Sequence, residues 1–179
     1  DWLSIGIKSE LGRDDKLLGF ESITRNDAYK HFRGTRAELA TSVFDPVLCE
    51  VAYRWFAPVG GVVLDPFAGG SVRGIVAGAL GRGYLGIDLR AEQVESNVQQ
   101  AADVARKHKL DPEPQWAVGD SRGLPALVGS HTFDAAFTCP PYFDLERYSK
   151  DPRDLSNVGE WAAFRKAYRE IIQHTVAAL

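Results

Sequence analysis

Short apolar runs alternate with longer amphipathic stretches along most of this chain. Four of these runs predict buried strands, at residues 61–65, 84–88, 115–120 and 133–138. Apolar residues spaced three and four apart predict helices at residues 44–56, 71–81, 91–108 and 157–179. Because strands that alternate with helices need crossover connections, the pattern predicts an α/β fold with a mainly parallel sheet.

Capping residues sharpen the boundaries of these helices. Asp45 is predicted to cap the first helix, with Pro46 at its first position. Gly81 is predicted to end the second helix, and Asn157 with Glu160 to form a capping box before the last one. Helical spacing predicts two apolar faces: Val47, Leu48, Val51, Ala52 and Trp55 in the first helix, and Val94, Val98, Ala101, Ala102 and Ala105 in the third.

A polar residue follows each predicted strand. Asp65, Asp88 and Asp120 lie at or just past the ends of the first three strands, and Cys139 follows the fourth. Ligands of open parallel sheets bind outside the carboxyl ends of the strands. Each Asp by itself can equally cap the helix that follows it. Three carboxylates at the same edge of the sheet favour a polar ligand lying across the strand ends.

The segment DPFAGGS, residues 65–71, joins a predicted strand to a helix through Gly69 and Gly70. Glycines there let the backbone approach a ligand closely, although a strand-to-helix turn can also need them for packing alone. The segment has neither the G-x-G-x-x-G spacing of dinucleotide-binding loops nor the Lys-Ser/Thr pair of P-loops. Asp88, 23 residues beyond the first residue of this segment, is placed to accept hydrogen bonds from ribose hydroxyls. Asp120 can accept from an exocyclic amine.

Four motifs in this order, DPFAGGS, GIDLRAEQ, GDSR and CPPY, resemble the S-adenosylmethionine-dependent amino-methyltransferases of DNA. Those enzymes methylate N6 of adenine or N4 of cytosine, for example in restriction-modification systems. The resemblance covers roughly residues 36–150. It implies a Rossmann-like class I methyltransferase sheet with flanking helices, S-adenosylmethionine as cofactor, and DNA as substrate.

The resemblance also implies roles for individual residues. Asp88 is expected to bind the ribose of the cofactor, and Asp120 its adenine amine. The methionine side of the cofactor is expected to meet Ser42, Phe44, Asp65, Phe67 and Gly69, with Gly70 and Ser71 in the same loop. The flipped target base is expected to be held by Cys139, Pro140, Pro141 and Tyr142, with Tyr142 stacking on the base.

The double proline has a physical reason in this chemistry. An exocyclic amine is a poor nucleophile because its lone pair is delocalised into the base. Backbone carbonyls of residues 139 and 140 can accept from the amine hydrogens, and the prolines that follow them fix these acceptors in place. Preorganised acceptors stabilise the transition state at little reorganisation cost.

Two positions depart from the family pattern. The cofactor loop has Gly70 and Ser71 in the reverse of the usual order, which leaves the contacts of Ser71 open. Cys139 stands where Asp, Asn or Ser is usual, and a thiol is a weaker acceptor. A competing interpretation makes Cys139 a nucleophile, as in enzymes that methylate cytosine carbon, but their motif has one proline before the cysteine. The motifs are also compatible with an RNA base methyltransferase and with a binding or assembly subunit without turnover.

Composition and charge narrow the setting. The chain has 179 residues and a net charge of -3, so it has no overall basic character that would indicate nucleic-acid binding. One local basic segment, residues 24–36, is either a solvated surface or a phosphate-contacting segment through Arg25, Lys30, Arg33 and Arg36. Two cysteines without metal-ligand spacing favour a reducing, cytoplasmic setting and no metal. No apolar run is long enough to span a membrane.

Domain organisation follows from the same observations. Residues 1–36 are predicted to be a polar and basic segment, and residues 37–179 a methyltransferase domain. A methyltransferase sheet normally has seven strands, and about four are predicted here. We therefore expect the domain to be incomplete at its C-terminal end, with target recognition supplied by a missing C-terminal part, the basic segment or a partner chain.

Overall fold

The computed structural model describes residues 2–5, 44–143 and 147–179, and the following account is confined to them. Its centre is a sheet whose neighbouring strands all pair in parallel, in the spatial order β3-β2-β1-β4. The strands are β1 (Val62–Asp65), β2 (Gly83–Asp88), β3 (Gln115–Val118) and β4 (Ala135–Ala136). This order is that of the first four strands of a Rossmann fold, which confirms the predicted α/β class.

Five α-helices accompany the sheet in the described residues. They are α1 (Pro46–Phe56), α2 (Val72–Ala79), α3 (Ala91–Ala105), α4 (Leu124–Val128) and α5 (Trp161–Ala177). Short 3-10 turns lie at Trp2–Ile5, Ser121–Gly123 and Leu155–Asn157. The sequence pattern did not predict α4. None of these helices combines the length and the hydrophobicity needed to cross a bilayer.

The apolar core covers both faces of the sheet. Val63 and Leu64 are adjacent on β1 and therefore point to opposite faces. Val63 packs in a cluster with α1, α2 and α3, whereas Leu64 packs with Ile87 and Leu124 on the side of α4. The helices thus form layers on both sides of the strands, and the carboxyl ends of the strands remain open for a site.

β4 is shorter than predicted, with two paired residues where six were expected. Hydrogen bonds to β1 continue beyond both of its ends, from Asp134 N to Val62 O at 2.9 Å and from Phe137 N to Leu64 O at 3.1 Å. The segment therefore runs alongside β1 as far as residue 137. This pairing brings the residues after β4 next to those after β1.

The apolar face predicted for α1 is partly wrong, since Val51 and Ala52 are half-buried but the other three residues are exposed. The helix buries Cys49 and Tyr53, four residues apart, while Val47, Leu48 and Trp55 are exposed. Tyr53 is the physical reason, because its ring packs against Phe137 and its hydroxyl donates to the buried carbonyl of Arg73 at 3.0 Å. A helix orients towards the partners that its polar groups find as well as towards apolar contacts.

The face predicted for α3 is also partly wrong. Val98 is exposed, whereas the amide side chains of Gln93, Asn97 and Gln100 are buried together with Val94, Ala101 and Val104. Buried amides need hydrogen-bond partners, and these find theirs in one another and in the loop after β1. The amide side of α3 therefore faces the site.

Two of the predicted caps are confirmed and one is wrong. The Asp45 carboxylate accepts from the amide of Val47 at 2.8 Å, and Gly81 ends α2 with a φ of +74°. The capping box at Asn157 is absent. The Asn157 amide instead donates to the carbonyls of Ser149 and Asp151, so α5 begins at residue 161 without a side-chain cap.

Candidate functional site

One pocket, with a volume of about 210 Å³, lies outside the carboxyl ends of the strands. Its wall includes nine of the residues predicted for the site: Phe44, Phe67, Gly69, Gly70, Asp88, Asp120, Cys139, Pro141 and Tyr142. Asp65, Ser71 and Pro140 are close in sequence to the lining residues but do not line the pocket. Ser42, Arg25, Lys30, Arg33 and Arg36 lie outside the described residues.

Asp65 lies beneath the pocket and is completely buried. Its carboxylate accepts from Arg73 Nε at 2.6 Å, Tyr84 Oη at 2.7 Å, Thr138 Oγ1 at 2.6 Å and the amide of Phe67 at 3.1 Å. A carboxylate with these four donors is satisfied within the protein. Asp65 therefore supports the loop from below, which corrects the expectation that it lines the cofactor side.

Arg73 is the buried cation that balances Asp65. Its side chain is only 5% exposed, and besides the ion pair it donates to the carbonyls of Phe67 and Ala68, both at 2.8 Å. Burial lowers the pKa of Arg73, but the charge of Asp65 and other nearby groups raise it further, so the guanidinium stays charged. Its carbon Cζ lies 4.6 Å from the centre of the Phe44 ring, an attractive cation–π contact.

The segment Phe67–Ser71, called the cofactor loop below after the role that the sequence resemblance implies, is held from two directions. Gly69 has a φ of +48°, a conformation that favours glycine, and its amide donates to Asp88 Oδ2 at 3.0 Å. Its carbonyl accepts from Asn97 Nδ2 at 2.7 Å. The Ser71 hydroxyl donates to the Gln100 amide oxygen, so Ser71 is turned towards α3 and away from the pocket.

The two remaining carboxylates occupy different surroundings. Asp88 lines the pocket and accepts from the amides of Gly69 and Arg90, which fixes its orientation at the end of β2. Asp120 accepts from both Nε and Nη2 of Arg122 and from the amide of the same residue. Burial raises the pKa of Asp120, but the hydrogen bonds and charge of Arg122 lower it by more. The net result is a pKa below the usual range of an aspartate.

The segment Cys139–Tyr142, called the catalytic loop below after the role that the sequence resemblance implies, is attached to the cofactor loop through Thr138. The Thr138 hydroxyl donates to Asp65 and accepts from the amide of Phe67 at 3.2 Å. At the other end of the loop, Tyr142 is 56% exposed and its hydroxyl lies 3.6 Å from Cys139 Sγ. The loop is therefore fixed at its base and open at its tip.

An aromatic stack, consisting of Phe67, Tyr168, Phe164 and Trp161, runs along α5 from the cofactor loop to the surface. Phe143, the residue after the catalytic loop, packs edge-on against Phe164 at 5.3 Å and Trp161 at 5.2 Å. Phe143 has a φ of +48°, which is strained for a residue with a side chain. This packing holds the turn that leaves Tyr142 exposed.

The segment 147–157 covers the far side of the pocket and was not predicted from the sequence. Asp154 organises it by accepting from Ser149 Oγ at 2.7 Å and from Ser156 at both N and Oγ. Four residues of the segment line the pocket: Tyr148, Arg153, Asp154 and Leu155. Its clustered Ser, Asp and Asn residues resemble an ordinary polar loop, and only the contact with the pocket distinguishes it.

No family model and no curated protein matches the chain. Solved structures with similarity include an rRNA methylase from Streptococcus thermophilus, 13% identical with a TM-score of 0.48, over 78% of this chain and 67% of that one. A TehB-like SAM-dependent methyltransferase from Corynebacterium glutamicum is 16% identical with a TM-score of 0.43, over 75% and 76%. A proposed RNA methyltransferase from Pyrococcus horikoshii is 17% identical with a TM-score of 0.46, over 90% and 83%. These likenesses are distant, and none assigns an activity to this chain.

Proposed function

We propose that this chain transfers a methyl group from S-adenosylmethionine to an exocyclic amine of a nucleobase in DNA, N6 of adenine or N4 of cytosine. The observation that carries the proposal is the convergence of distant motifs on one pocket. Phe67 and Gly69 of the cofactor loop share that pocket with Cys139, Pro141 and Tyr142, some seventy residues later. A reaction between a cofactor and a base requires both groups to lie in one cavity.

The residues present suit S-adenosylmethionine. Gly69 brings backbone to the pocket wall, and Asp88, at the end of the next strand, is the position from which a ribose is bound in Rossmann-like folds. Asp120 offers a carboxylate to an adenine amine, although Arg122 already occupies part of it. Phe44 and Phe67 give the pocket an apolar side. When bound, the cofactor supplies a methyl group on a sulfonium, which is electrophilic without further activation.

The catalytic loop is suited to present the acceptor amine. Carbonyls of Cys139 and Pro140 can accept from the two amine hydrogens, and the prolines after them keep these oxygens in place. Tyr142 has the exposure that a base-stacking residue needs. The thiol of Cys139 lies near the Tyr142 hydroxyl and adds a weak polar contact. In this proposal Cys139 forms no covalent bond. The amine nitrogen would bond to the methyl carbon as the bond from that carbon to sulfur breaks, S-adenosylhomocysteine would leave, and the methylated amine would release one proton to solvent.

Calorimetry with S-adenosylmethionine is the first test of this proposal. We expect saturable binding with one cofactor per chain, and we expect Asp88→Ala to weaken it, because that variant removes a carboxylate from the pocket wall. Exposed Asp103→Ala, on the outer side of α3, is the matched control and should bind as the unaltered chain does. No binding by the unaltered chain would refute the enzyme assignment and favour a non-catalytic binding subunit.

Mass spectrometry of nucleosides identifies the product. DNA and RNA of the same sequence are incubated with the chain and cofactor, digested and analysed. The proposal expects N6-methyladenosine or N4-methylcytidine in the deoxy form; ribonucleoside products would support an RNA methyltransferase, and 5-methyl-deoxycytidine would implicate Cys139 as a nucleophile. Tyr142→Ala is expected to lower methylation while leaving cofactor affinity unchanged, and Tyr142→Phe to retain most of it, because stacking needs the ring and not the hydroxyl.

A further inference from the structure

The exposed end of the aromatic stack is a rigid aromatic surface beside the catalytic loop. The Trp161 and Phe164 rings are 5.5 Å apart and inclined by 13°, and the Phe164 and Tyr168 rings are 6.1 Å apart and inclined by 7°. Phe164 is buried, so the stack is anchored in the core. Trp161 is therefore held in one orientation by its neighbours, although 54% of it is exposed.

Trp161 also lies close to the residues proposed to hold the target base. Its ring centre is 5.2 Å from that of Phe143, which directly follows Tyr142 in the chain. Tyr142 lines the pocket and Trp161 does not, but Phe143 joins the two in the structure, and both side chains are about half exposed. An aromatic ring that is held rigid and open to solvent is the surface on which nucleobases stack without regard to sequence.

Positive charges follow Trp161 along the same side of α5. Arg165 and Arg169 come four and eight residues later, a spacing that keeps them on one side of a helix, and both are exposed. This basic stripe contrasts with the net charge of -3 of the whole chain. Guanidinium groups beside a stacking ring are complementary to a nucleic-acid strand, in which each base is attached to a backbone of negatively charged phosphates.

A second exposed tryptophan shows what is particular about Trp161. Trp55 on α1 is 75% exposed, more than Trp161, and contacts the ring of Phe56 at 6.1 Å. Its neighbour Arg54 is paired with Glu50 at 2.8 Å, and the lining of the described pocket does not include α1. Exposure alone therefore does not distinguish Trp161; its anchoring, its place beside the catalytic loop and the basic stripe do.

We propose that Trp161 stacks on an unpaired nucleobase adjacent to the target base, while Arg165 and Arg169 contact the phosphates that flank it. The inference rests on the proposed function, because it assumes a nucleic-acid strand at the catalytic loop. It adds a specific surface for that strand and assigns a role to α5, a helix that the sequence motifs leave without one. The stacking chemistry is common to DNA and RNA, so the test includes both.

The experiment measures binding of fluorescently labelled single strands, DNA and RNA of one sequence and about 15 nucleotides long, by anisotropy with the full chain. Trp161→Ala is expected to raise the dissociation constant on the order of tenfold, and Trp161→Phe by much less. Trp55→Ala is the matched control and should leave it unchanged. Replacing Arg165 and Arg169 by Ala should reduce the slope of log affinity against log salt by about one per lost phosphate contact.

A charge control separates the basic stripe from general electrostatics. Exposed Lys107, beyond the end of α3, is replaced by Ala and should leave the salt slope unchanged. An equal loss of affinity in the Trp161→Ala and Trp55→Ala variants would overturn the inference. An unaltered affinity in Trp161→Ala, or no binding of either strand by the unaltered chain, would do the same.

Cofactor binding by the same variants keeps the two proposals distinguishable. Calorimetry with S-adenosylmethionine should give the same affinity for Trp161→Ala and the unaltered chain, which shows that the fold is retained. Strand binding that depends on Trp161 without any methylation would contradict the proposed function and support the stacking surface. Methylation with strand affinity independent of Trp161 would support the function and overturn the surface.

Discussion

The two sides of the pocket are held by different kinds of interaction. Below the cofactor loop, the buried pair Asp65 and Arg73 and the amides of α3 form a network of directed hydrogen bonds. On the side of the catalytic loop, the contacts are mostly aromatic, and Trp161 and Tyr142 remain half exposed. Directed bonds fix positions closely and are costly to break, whereas ring packing tolerates replacement by another ring. Substitutions on the first side should therefore lower the stability of the fold. Substitutions on the second side should mainly weaken the proposed binding of nucleic acid.

The largest effect is expected from Asp65→Asn. This change keeps the shape of the side chain but leaves the buried guanidinium of Arg73 without its counter-charge. Removing one partner of a buried ion pair costs about 3–5 kcal/mol, so the free energy of unfolding should fall by that amount in urea denaturation. Cofactor affinity should fall with it, because Asp65 also holds the amide of Phe67.

Asp103→Asn is the matched control for Asp65→Asn. Asp103 pairs with Arg106 on the exposed side of α3, where both side chains are about half exposed or more. Exposed ion pairs contribute about 0–1 kcal/mol. If the two substitutions destabilised the chain equally, the contrast between the two sides of the pocket would not rest on the buried network.

An intermediate effect is expected from Thr138→Val, which removes the hydroxyl that joins the two loops at nearly constant volume. The two lost hydrogen bonds, one of them to the buried carboxylate of Asp65, should cost about 2 kcal/mol of unfolding free energy. The turnover number should fall by at least about tenfold, since the catalytic loop loses its attachment at Asp65, whereas KM for the cofactor should change little.

The variant Thr138→Ser tests whether Thr138 positions the catalytic loop through its hydroxyl or only packs in the structure. Serine keeps the hydroxyl and loses the methyl group, so it should restore turnover while leaving any packing loss in place. Equal turnover in the Val and Ser variants would mean that the hydroxyl does not position the catalytic loop.

The smallest perturbation is chemical labelling of the two cysteines. Burial raises the pKa of Cys49 to about 12, so at pH 8 its thiol is protonated and unreactive. Cys139 lines the pocket and should be alkylated first by iodoacetamide, at a rate that S-adenosylhomocysteine lowers. Peptide mass spectrometry identifies the modified residue, and both should react in urea. Modification of Cys49 before Cys139 in the folded chain would contradict the burial of Cys49 in α1.

Local sequence signals predicted the strands and most helix boundaries because they depend on neighbours in the chain. The Asp45 cap and Gly81 are examples, since each acts on groups within a few residues. The capping box predicted at Asn157 is wrong for the opposite reason. The side-chain amide of Asn157 donates to the carbonyls of Ser149 and Asp151 and makes no bond to the start of the helix. A capping motif specifies a possible bond, and tertiary partners decide whether it forms.

Nine residues of the pocket wall were predicted from the sequence, but neither the segment 147–157 nor the different roles of the predicted residues were. Asp65 and Asp88 both end strands, and the sequence pattern does not distinguish a structural role from a ligand-binding role for either. Only the structure separates the buried Asp65, which is satisfied by Arg73, from Asp88 in the pocket wall. Arg73 and Asn97 were missed because a polar residue in a helix is normally assigned to the surface until its buried partners are known.

The spatial order β3-β2-β1-β4 has a consequence for how the chain can change in length. The two loops that we propose to form the reaction site follow β1 and β4, which are direct neighbours in the sheet, although residues 66–134 separate these strands along the chain. The connection between α3 and β3, near residues 106–114, belongs to the opposite edge. Leu110 is buried in the core and the amide of Asp111 donates to the carbonyl of Gly78, so only residues 106–109 of this connection are free for an insertion. Extra residues grafted there would lengthen the path between the loops without widening the gap between them, which makes this short stretch the place to insert a reporter domain.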